Sequence, residues 1–145
     1  MRKNVSGRQL GRAKNQRQAL FRGLICSLID KGGIVTSLAK AKAVRGEAEK
    51  LITKAKKKTL AGRRTIFRFL NNRALVNRLV EGIAPILQER KSGYLRIVRI
   101  GLRRGDRAAL VKLEFVDDLS SVVQKPKPPE TEGEEDDKTN KKVKN

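Results

Sequence analysis

The chain has 145 residues, of which 38% are hydrophobic, so it can form one small domain, or one domain and a tail, around a thin core. It contains no His and one Cys, which excludes His-dependent catalytic triads, the usual Cys/His zinc sites and an internal disulfide framework. Its 35 Lys and Arg against 15 Asp and Glu give a formal net charge of +20. A body with this charge persists most readily beside a polyanion, and nucleic acid is the commonest such partner.

The first 17 residues form a cationic segment that contains no acidic residue. Ordering a chain costs about 1–2 kcal/mol per residue in backbone entropy, and this segment has almost nothing apolar to bury in return. We therefore predict an extended basic arm over residues 1–17 that becomes ordered only against a polyanion. The alternative is a disordered terminus without a role. The basic side chains of this segment are Arg2, Lys3, Arg8, Arg12, Lys14 and Arg17.

A globular domain is predicted over residues 18–118, and it begins with an amphipathic helix that ends at Gly32. Residues 34–36 are a short strand candidate, and the Ser37 hydroxyl is placed to cap a second helix over residues 38–58. Half of the apolar face of that second helix is Ala, so we expect it to approach its neighbour closely. The apolar faces are Leu20, Phe21, Leu24, Ile25, Leu28 and Ile29 in the first helix, and Ala41, Val44, Ala48, Leu51, Ile52 and Ala55 in the second.

Two more helices are predicted before the pattern changes. Residues 60–70 form the third, capped by Thr59. The fourth follows the Asn pair at 71 and 72, and Gly82 and Pro85 make a joint in it before a last helical turn that ends near Arg90. The residues predicted to face one way are Ile66, Phe67 and Leu70 in the third helix, and those predicted to be buried in the fourth are Leu75, Val76, Leu79 and Val80.

From residue 94 the hydrophobic period changes from that of a helix to that of a strand. Residues 94–100 and 109–116 are predicted strands, and the basic loop 101–107 between them has turn residues, so we expect a β-hairpin. These elements predict an α+β fold in which about four to five helices pack against a small sheet of about three strands. Residues 119–145 are predicted to be a disordered charged tail, to which the sequence assigns no partner.

The chemistry of the sequence favours phosphate recognition. Catalysis is not expected, because the chain has no His and no glycine-rich phosphate loop. Guanidinium groups grip phosphates through two donors. Tyr94 and Phe69 are the candidates for stacking on bases, but core or rim positions are expected for both, so folded RNA recognised by shape is favoured over single strands. The candidate RNA-binding residues are the six of the arm with Arg22, Lys40, Lys42, Arg45, Arg63, Arg64, Arg96, Arg99, Arg103, Arg104 and Arg107.

Other interpretations of the charge stay open at this point. A nucleoid-type protein that compacts DNA would have a similar composition, and an RNA-processing enzyme would need Asp106 or Asp117 as a catalytic carboxylate. A membrane surface is also polyanionic, but no apolar run of about 18 residues is present to span one. The single Cys26 is interpreted as a packing residue and suits a reducing compartment, so a cytoplasmic location is expected. No cofactor, metal or small-molecule substrate is expected.

The order of many short motifs resembles the seventeenth protein family of the bacterial large ribosomal subunit, over roughly residues 1–118. The resemblance implies an α+β domain whose arm reaches into ribosomal RNA. It also implies a place near the peptide exit region of the large subunit, beside neighbouring ribosomal proteins. Gln16 departs from the family, which usually has His there, and the resemblance does not extend to the tail. The matching motifs include Met1-Arg2-Lys3, Leu10-Gly11-Arg12, Arg17-Gln18-Ala19-Leu20-Phe21-Arg22, Thr36-Ser37-Leu38, Lys40-Ala41-Lys42, Leu51-Ile52-Thr53, Arg63-Arg64, Gly93-Tyr94, Gly105-Asp106 and Val116-Asp117.

Overall fold

The structure is a computed structural model that describes residues 7–119 and 122. Its helices pack against one antiparallel sheet, which confirms the predicted α+β class and the C-terminal hairpin. In chain order the elements are α1 (Lys14–Lys31), β1 (Gly33–Ser37), α2 (Leu38–Lys56), α3 (Leu60–Leu70), α4 (Arg73–Asn77), a π-helical segment (Arg78–Ile83), α5 (Ala84–Ile86), β2 (Leu95–Leu102) and β3 (Ala109–Phe115). The predicted tail lies outside the described residues except for Leu119 and Val122.

The third described strand, β3, occupies the centre of the sheet. In the part of the chain described, the strand order is β1-β3-β2, and both pairings are antiparallel. The side chains of β3 alternate as predicted, since Val111, Leu113 and Phe115 are buried while Lys112 between them is exposed. Successive side chains of a strand point to opposite faces. One face of the sheet therefore packs on the helices and the other is open.

The apolar face of α2 lies in the middle of the core. All six residues predicted for it are buried, and Ala41 and Val44 are completely so. A methyl group at positions 41, 48 and 55 lets the backbone of α2 come close to its neighbours, which include α1, α3 and the sheet. Burial of this face contributes stability because about 25 cal/mol is gained per Å² of apolar surface removed from water.

The residues predicted to begin or end helices were confirmed in three cases and wrong in one. Gly32 ends α1 in the left-handed conformation with φ 71°. The Thr59 hydroxyl accepts from the Gly62 amide at 3.1 Å, and Asn72 accepts from the Leu75 amide at 3.2 Å, as cap residues do. Ser37, however, makes no side-chain bond to the first turn of α2, so that prediction was wrong. Ser37 is the last residue of β1, and the strand runs into the helix without a turn.

The predicted joint at Gly82 and Pro85 is not a break. The chain stays helical from Arg73 to Ile86, with a π-helical segment in the middle. This helical region ends four residues before Arg90, where its end was predicted. Pro85 is tolerated because it lies in the first turn of α5, where its missing amide costs little. Gly82 leaves room for packing, since a Cβ there would overlap Cγ1 of Val122.

A polar network closes the fold at the base of the sheet, and we call its four residues Lys56, Arg90, Tyr94 and Asp117 the basal network. Arg90 donates two hydrogen bonds to the Asp117 carboxylate, at 3.1 and 2.8 Å. The Lys56 ammonium donates to the Arg90 carbonyl and to the Tyr94 hydroxyl. The network therefore ties α2 to the loop before β2 and to the residue that follows β3 by two positions.

Candidate nucleic-acid interface

Helix α1 begins at Lys14, inside the segment predicted to be the arm. Lys14 and Arg17 are therefore residues of a helix, and the Gln16 side chain accepts from the Ala13 amide at 3.4 Å at its first turn. Before the helix, residues 9–12 form a turn in which the Arg12 guanidinium donates to the Leu10 carbonyl at 2.9 Å. Arg8 is exposed. Arg2 and Lys3 lie outside the described residues.

The Arg22 side chain makes a hydrogen bond inside the fold. Its Nε donates to the carbonyl oxygen of Phe69 at 2.6 Å, which links α1 to the last turn of α3. Carbonyls of a last helical turn lack intrahelical partners, so a guanidinium there satisfies one of them. This bond gives Arg22 a role in packing, whether or not its outer face also meets RNA.

The cations predicted on α2 divide into paired and unpaired ones. Arg45 donates to Glu49 one turn later at 3.1 Å, as an exposed helix pair worth only tenths of a kcal/mol. Lys40 and Lys42 have no ion pair with any residue that the structure describes. Their ammonium groups, like that of Lys54 further along this helix, therefore remain available to a phosphate.

The two arginines side by side on α3 have different surroundings. Arg63 donates to the Asn77 side chain at 3.4 Å and to the Glu81 carboxylate, so it joins α3 to the π-helical segment. Arg64 is exposed and has no such partner within residues 7–119 and 122. Of these two arginines, therefore, Arg64 has all of its guanidinium donors available to a ligand.

Residues Arg103–Ala108, which we call the hairpin tip, form a turn with a fixed shape. The Arg103 amide donates to the Ala108 carbonyl at 2.9 Å, and the Arg107 amide donates to the Arg103 carbonyl at 3.0 Å. Gly105 takes φ 100°, a conformation in which L side chains are strained. Arg107 has φ 49° and is one of the rare non-glycine residues in the left-handed region.

An internal ion pair holds the hairpin tip. The Arg103 guanidinium grips Asp106 through two hydrogen bonds, at 3.0 and 2.6 Å. These bonds, together with one from the Ala108 amide, lower the pKa of Asp106 to about 2. Asp106 therefore stays ionised at neutral pH, and Arg103 is committed to shaping the turn. Arg104 and Arg107 are left exposed and unpaired among the described residues.

The strands below the tip carry two more predicted cations. Arg96 donates to Glu114 at 2.7 Å across the β2–β3 pair, and Lys112 contacts the same carboxylate at 2.7 Å. These contacts lower the pKa of Glu114, with the bond from Lys112 as the largest cause. Arg99 lies next to a β-bulge and is exposed without an ion pair in the described chain. The bulge changes the register of β2 before the tip begins.

The predicted candidates thus separate into two groups. The residues of the first group have hydrogen-bond partners inside the protein, and they are Arg12, Arg22, Arg45, Arg63, Arg96 and Arg103. The sequence could indicate the type of these residues but not their partners. Those left without a partner among the described residues are Arg8, Lys14, Arg17, Lys40, Lys42, Arg64, Arg99, Arg104 and Arg107.

The carboxylates considered for catalysis both belong to Arg–Asp pairs. The hydrogen bonds from Arg90 lower the pKa of Asp117, as those from Arg103 lower that of Asp106. A carboxylate with a depressed pKa is a weak general base, so neither residue is poised for proton transfer at neutral pH. Burial raises the pKa of the Cys26 thiol, and the nearby charge of Arg22 offsets part of that rise. A raised thiol pKa agrees with a packing residue rather than a nucleophile.

The described residues also bear on two other classes of protein, metal-binding and membrane-spanning ones. They contain no group of three or more metal-ligating side chains. None of the helices described has the length and apolar character needed to cross a bilayer.

The orientation predicted from the sequence was wrong for one aromatic residue, Phe67. Phe67 was predicted to face the same way as Ile66 and Leu70, but its ring is 43% exposed while those two are buried. Tyr94 is buried at 2%, and Phe69 is partly buried against the core, as expected for both. Phe67 lies at the edge of the apolar arc of α3, where a difference of one helical position decides burial. The helix periodicity alone could not resolve that edge.

Comparison with known proteins gives a consistent result. The pattern of a family described as "Ribosomal protein L17" matches residues 20–116. The "Large ribosomal subunit protein bL17" of Thermodesulfovibrio yellowstonii is 48% identical over 117 residues, which cover 81% of this chain and 88% of the relative. The protein of the same name from Clostridium botulinum is 47% identical and covers 75% and 96%. That of Trichlorobacter lovleyi is 42% identical and covers 83% and 97%.

Proposed function

The chain belongs to the ribosomal protein L17 family, and from this premise we propose that it binds folded large-subunit RNA. In this function it is a structural constituent of the large ribosomal subunit in the cytoplasm and supports subunit assembly and translation. It has no catalytic role. Its partners are the large-subunit RNA and neighbouring ribosomal proteins of the same subunit.

The observation that carries this proposal is the set of unpaired cations. They come from the segment before α1, from α1 itself, from α2, from α3 and from the β2–β3 hairpin. The fold uses its few carboxylates to hold other arginines in place, so this set has no internal counter-charge among the described residues. Phosphates supply that counter-charge, and each one neutralised releases condensed counterions.

The geometry favours RNA over duplex DNA. The cations lie on several elements and on a hairpin tip of fixed shape, and they do not line one helix that would enter a major groove. A rigid, irregular basic surface suits a folded polyanion that also has an irregular shape. Arg104 and Arg107 at the tip are the residues that we expect to reach furthest into RNA.

Affinity as a function of salt tests the proposal directly. The full chain is titrated against transcribed large-subunit RNA and against duplex DNA of mixed sequence between 50 and 200 mM salt. We expect a steep loss of RNA affinity with salt, with a log–log slope of several units if many phosphates are contacted, on the order of 0.9 per contact. Equal affinity for DNA at every salt concentration would favour a DNA-compacting protein and contradict the proposal.

Sedimentation of ribosomal particles provides the second measurement. A tagged full chain produced in a bacterium should migrate with the large subunit in a gradient and remain there after a wash at moderate salt. A chain found only at the top of the gradient, with the large-subunit fractions lacking it, would count against a ribosomal role. The RNA titration and the gradient together separate RNA binding from incorporation into the subunit.

A further inference from the structure

Helix α3 exposes an apolar stripe that the fold does not use. Leu60 is 65% exposed and Phe67 is 43% exposed. Seven residues are almost two full helical turns, so these side chains lie on the same side of the helix. Arg64 lies between them on that side, and the adjoining side of the helix buries Ile66 and Leu70 in the core. The stripe therefore lies beside the buried face of α3 and is open to solvent.

Phe67 differs from the other aromatic residues of the chain. Tyr94 and Phe115 are buried, and Phe21 and Phe69 pack partly against the core. Phe67 is the only exposed residue among the aromatic residues that the structure describes. A single exposed apolar residue needs no explanation, so the surroundings of this ring decide what it can bind.

The surroundings of Phe67 are cationic. Arg64 lies three residues before it and Arg68 directly after it, and neither has a partner in the part of the chain described. Arg63, four residues before Phe67, is held by Glu81. The whole of α3 contains three Arg and no acidic residue. An apolar protein surface would leave these guanidinium groups desolvated and unpaired, which is costly, whereas a nucleotide offers both a flat ring and a phosphate.

We propose that Phe67 stacks on one unpaired nucleobase of the large-subunit RNA while Arg64 and Arg68 contact the phosphates beside that base. This inference rests on the proposed RNA-binding function and adds to it a second kind of contact. Every base has a π-face, so stacking on Phe67 is tolerant of sequence, and bases of loops and bulges are free to be splayed out onto it. The hairpin tip, in contrast, holds RNA by charge.

The test separates stacking from charge by their salt dependence. The full chain and two variants, Phe67→Leu and Arg64→Gln, are titrated against transcribed large-subunit RNA at several salt concentrations. Phe67→Leu keeps an apolar side chain of similar exposure but removes the ring, and we expect a loss of affinity of about tenfold, within the range of base–aromatic stacking. Its salt slope should stay unchanged, since no counterion is released by a ring. Arg64→Gln should lower the slope by about one unit.

Two controls keep the result interpretable. Phe67→Tyr retains the ring and should bind as the unchanged chain does, and Val35→Ala removes an exposed apolar side chain from the open face of the sheet and should also have no effect. Circular dichroism confirms that all variants are folded. If the unchanged chain fails to bind RNA, the proposed function fails. If it binds and Phe67→Leu binds equally well, only the stacking inference is overturned.

A protein partner would give a different pattern. If Phe67→Leu binds RNA normally but is lost from the large subunit in a gradient, the stripe of α3 docks a protein, and the stacking inference is overturned. If Phe67→Leu binds isolated RNA more weakly than the unchanged chain does, and the salt slope of its affinity is unchanged, the result supports stacking.

Discussion

The hairpin tip and the basal network use the same pair of residue types for different ends. Each contains an Arg that grips an Asp through two hydrogen bonds, and in each the pKa of the Asp is lowered by that contact. At the tip the partners are three residues apart in sequence, and in the basal network they are 27 apart. A local pair can only shape its own turn, whereas the distant pair joins parts of the chain that meet only in the folded state.

Charged residues of this protein therefore have three roles rather than one. Some shape a surface, such as Arg103, and some close the fold, such as Arg90. Others, such as Arg104, stay unpaired among the described residues and are available to a ligand. The net charge of the chain is therefore a poor guide to the number of phosphates that it contacts. Variants at the two regions should separate these roles.

The largest expected effect is on stability, from Tyr94→Ala in the basal network. The Tyr94 ring is buried, lies 5.0 Å from the Lys56 ammonium, and places its hydroxyl 2.8 Å from the Lys91 carbonyl. Removing such a side chain leaves a cavity and should lower the free energy of unfolding by about 3–5 kcal/mol. Urea denaturation measures this, with Phe67→Ala as the matched control, for which we expect less than about 1 kcal/mol. Equal effects of both variants would contradict the assigned positions.

The next effect is on RNA affinity, from replacing both Arg104 and Arg107 by Gln at the hairpin tip. The double variant should lower the log–log salt slope by about two units, since about 0.9 is lost per phosphate contact. Lys50→Gln is the matched control, because Lys50 is exposed on α2 but paired with Glu47 at 3.0 Å. That control removes one positive charge without removing an unpaired cation. A slope that falls equally per charge in both variants would mean that the tip has no special contact.

Asp106→Asn should have a smaller effect whose sign is informative. The substitution adds one unit to the net charge, so charge alone predicts tighter RNA binding. We expect weaker binding, by about threefold, because the tip loses the ion pair that fixes it before binding, and ordering a side chain on binding costs about 0.5–1.5 kcal/mol. Filter binding at a fixed salt concentration measures the change. Tighter binding than that of the unchanged chain would refute a positioning role for Asp106.

The smallest effect is the pH dependence contributed by Asp117. Because its folded-state pKa lies below the unfolded value of about 3.9, the ionised group stabilises the folded protein. That contribution is present above the unfolded pKa and is lost as the pH falls through the folded one. Asp117→Asn should therefore lower the Tm at pH 7, and the difference from the unchanged chain should shrink below about pH 4. A Tm difference that is independent of pH would show that the pair does not act through ionisation.

Much of the fold could be predicted because it is recorded in local patterns. The apolar face of α2 was predicted residue by residue, and the cap of Thr59 and the stop at Gly32 follow from the chemistry of those side chains and backbones. The segment around Gly82 could not be predicted this way. Gly and Pro usually interrupt a helix, but here Gly82 makes room for Val122, which is distant in sequence.

The candidate interface was predictable in type but not in detail. The spacing of Arg103 and Asp106 in a turn is short enough to be recognised in the sequence, although only the structure shows that the pair commits both residues. The pairing of Arg22 with the Phe69 carbonyl joins two helices and has no local signal. The exposure of Phe67 depends on how α3 is rotated against its neighbours, which a helical period of 3.6 residues does not determine.

The order of the strands has a consequence for the biosynthesis of this chain. Among the strands that the structure describes, β1 is hydrogen-bonded only to β3, and about 70 residues separate their near ends along the chain. Translation adds about 5–20 residues per second, so β1 waits about 4–15 s for its partner strand to be made. During that interval its backbone groups and Val35 remain open to other strands. The nascent protein is therefore prone to mispairing until β3 has been made, and a chaperone that covers β1 would act in that window.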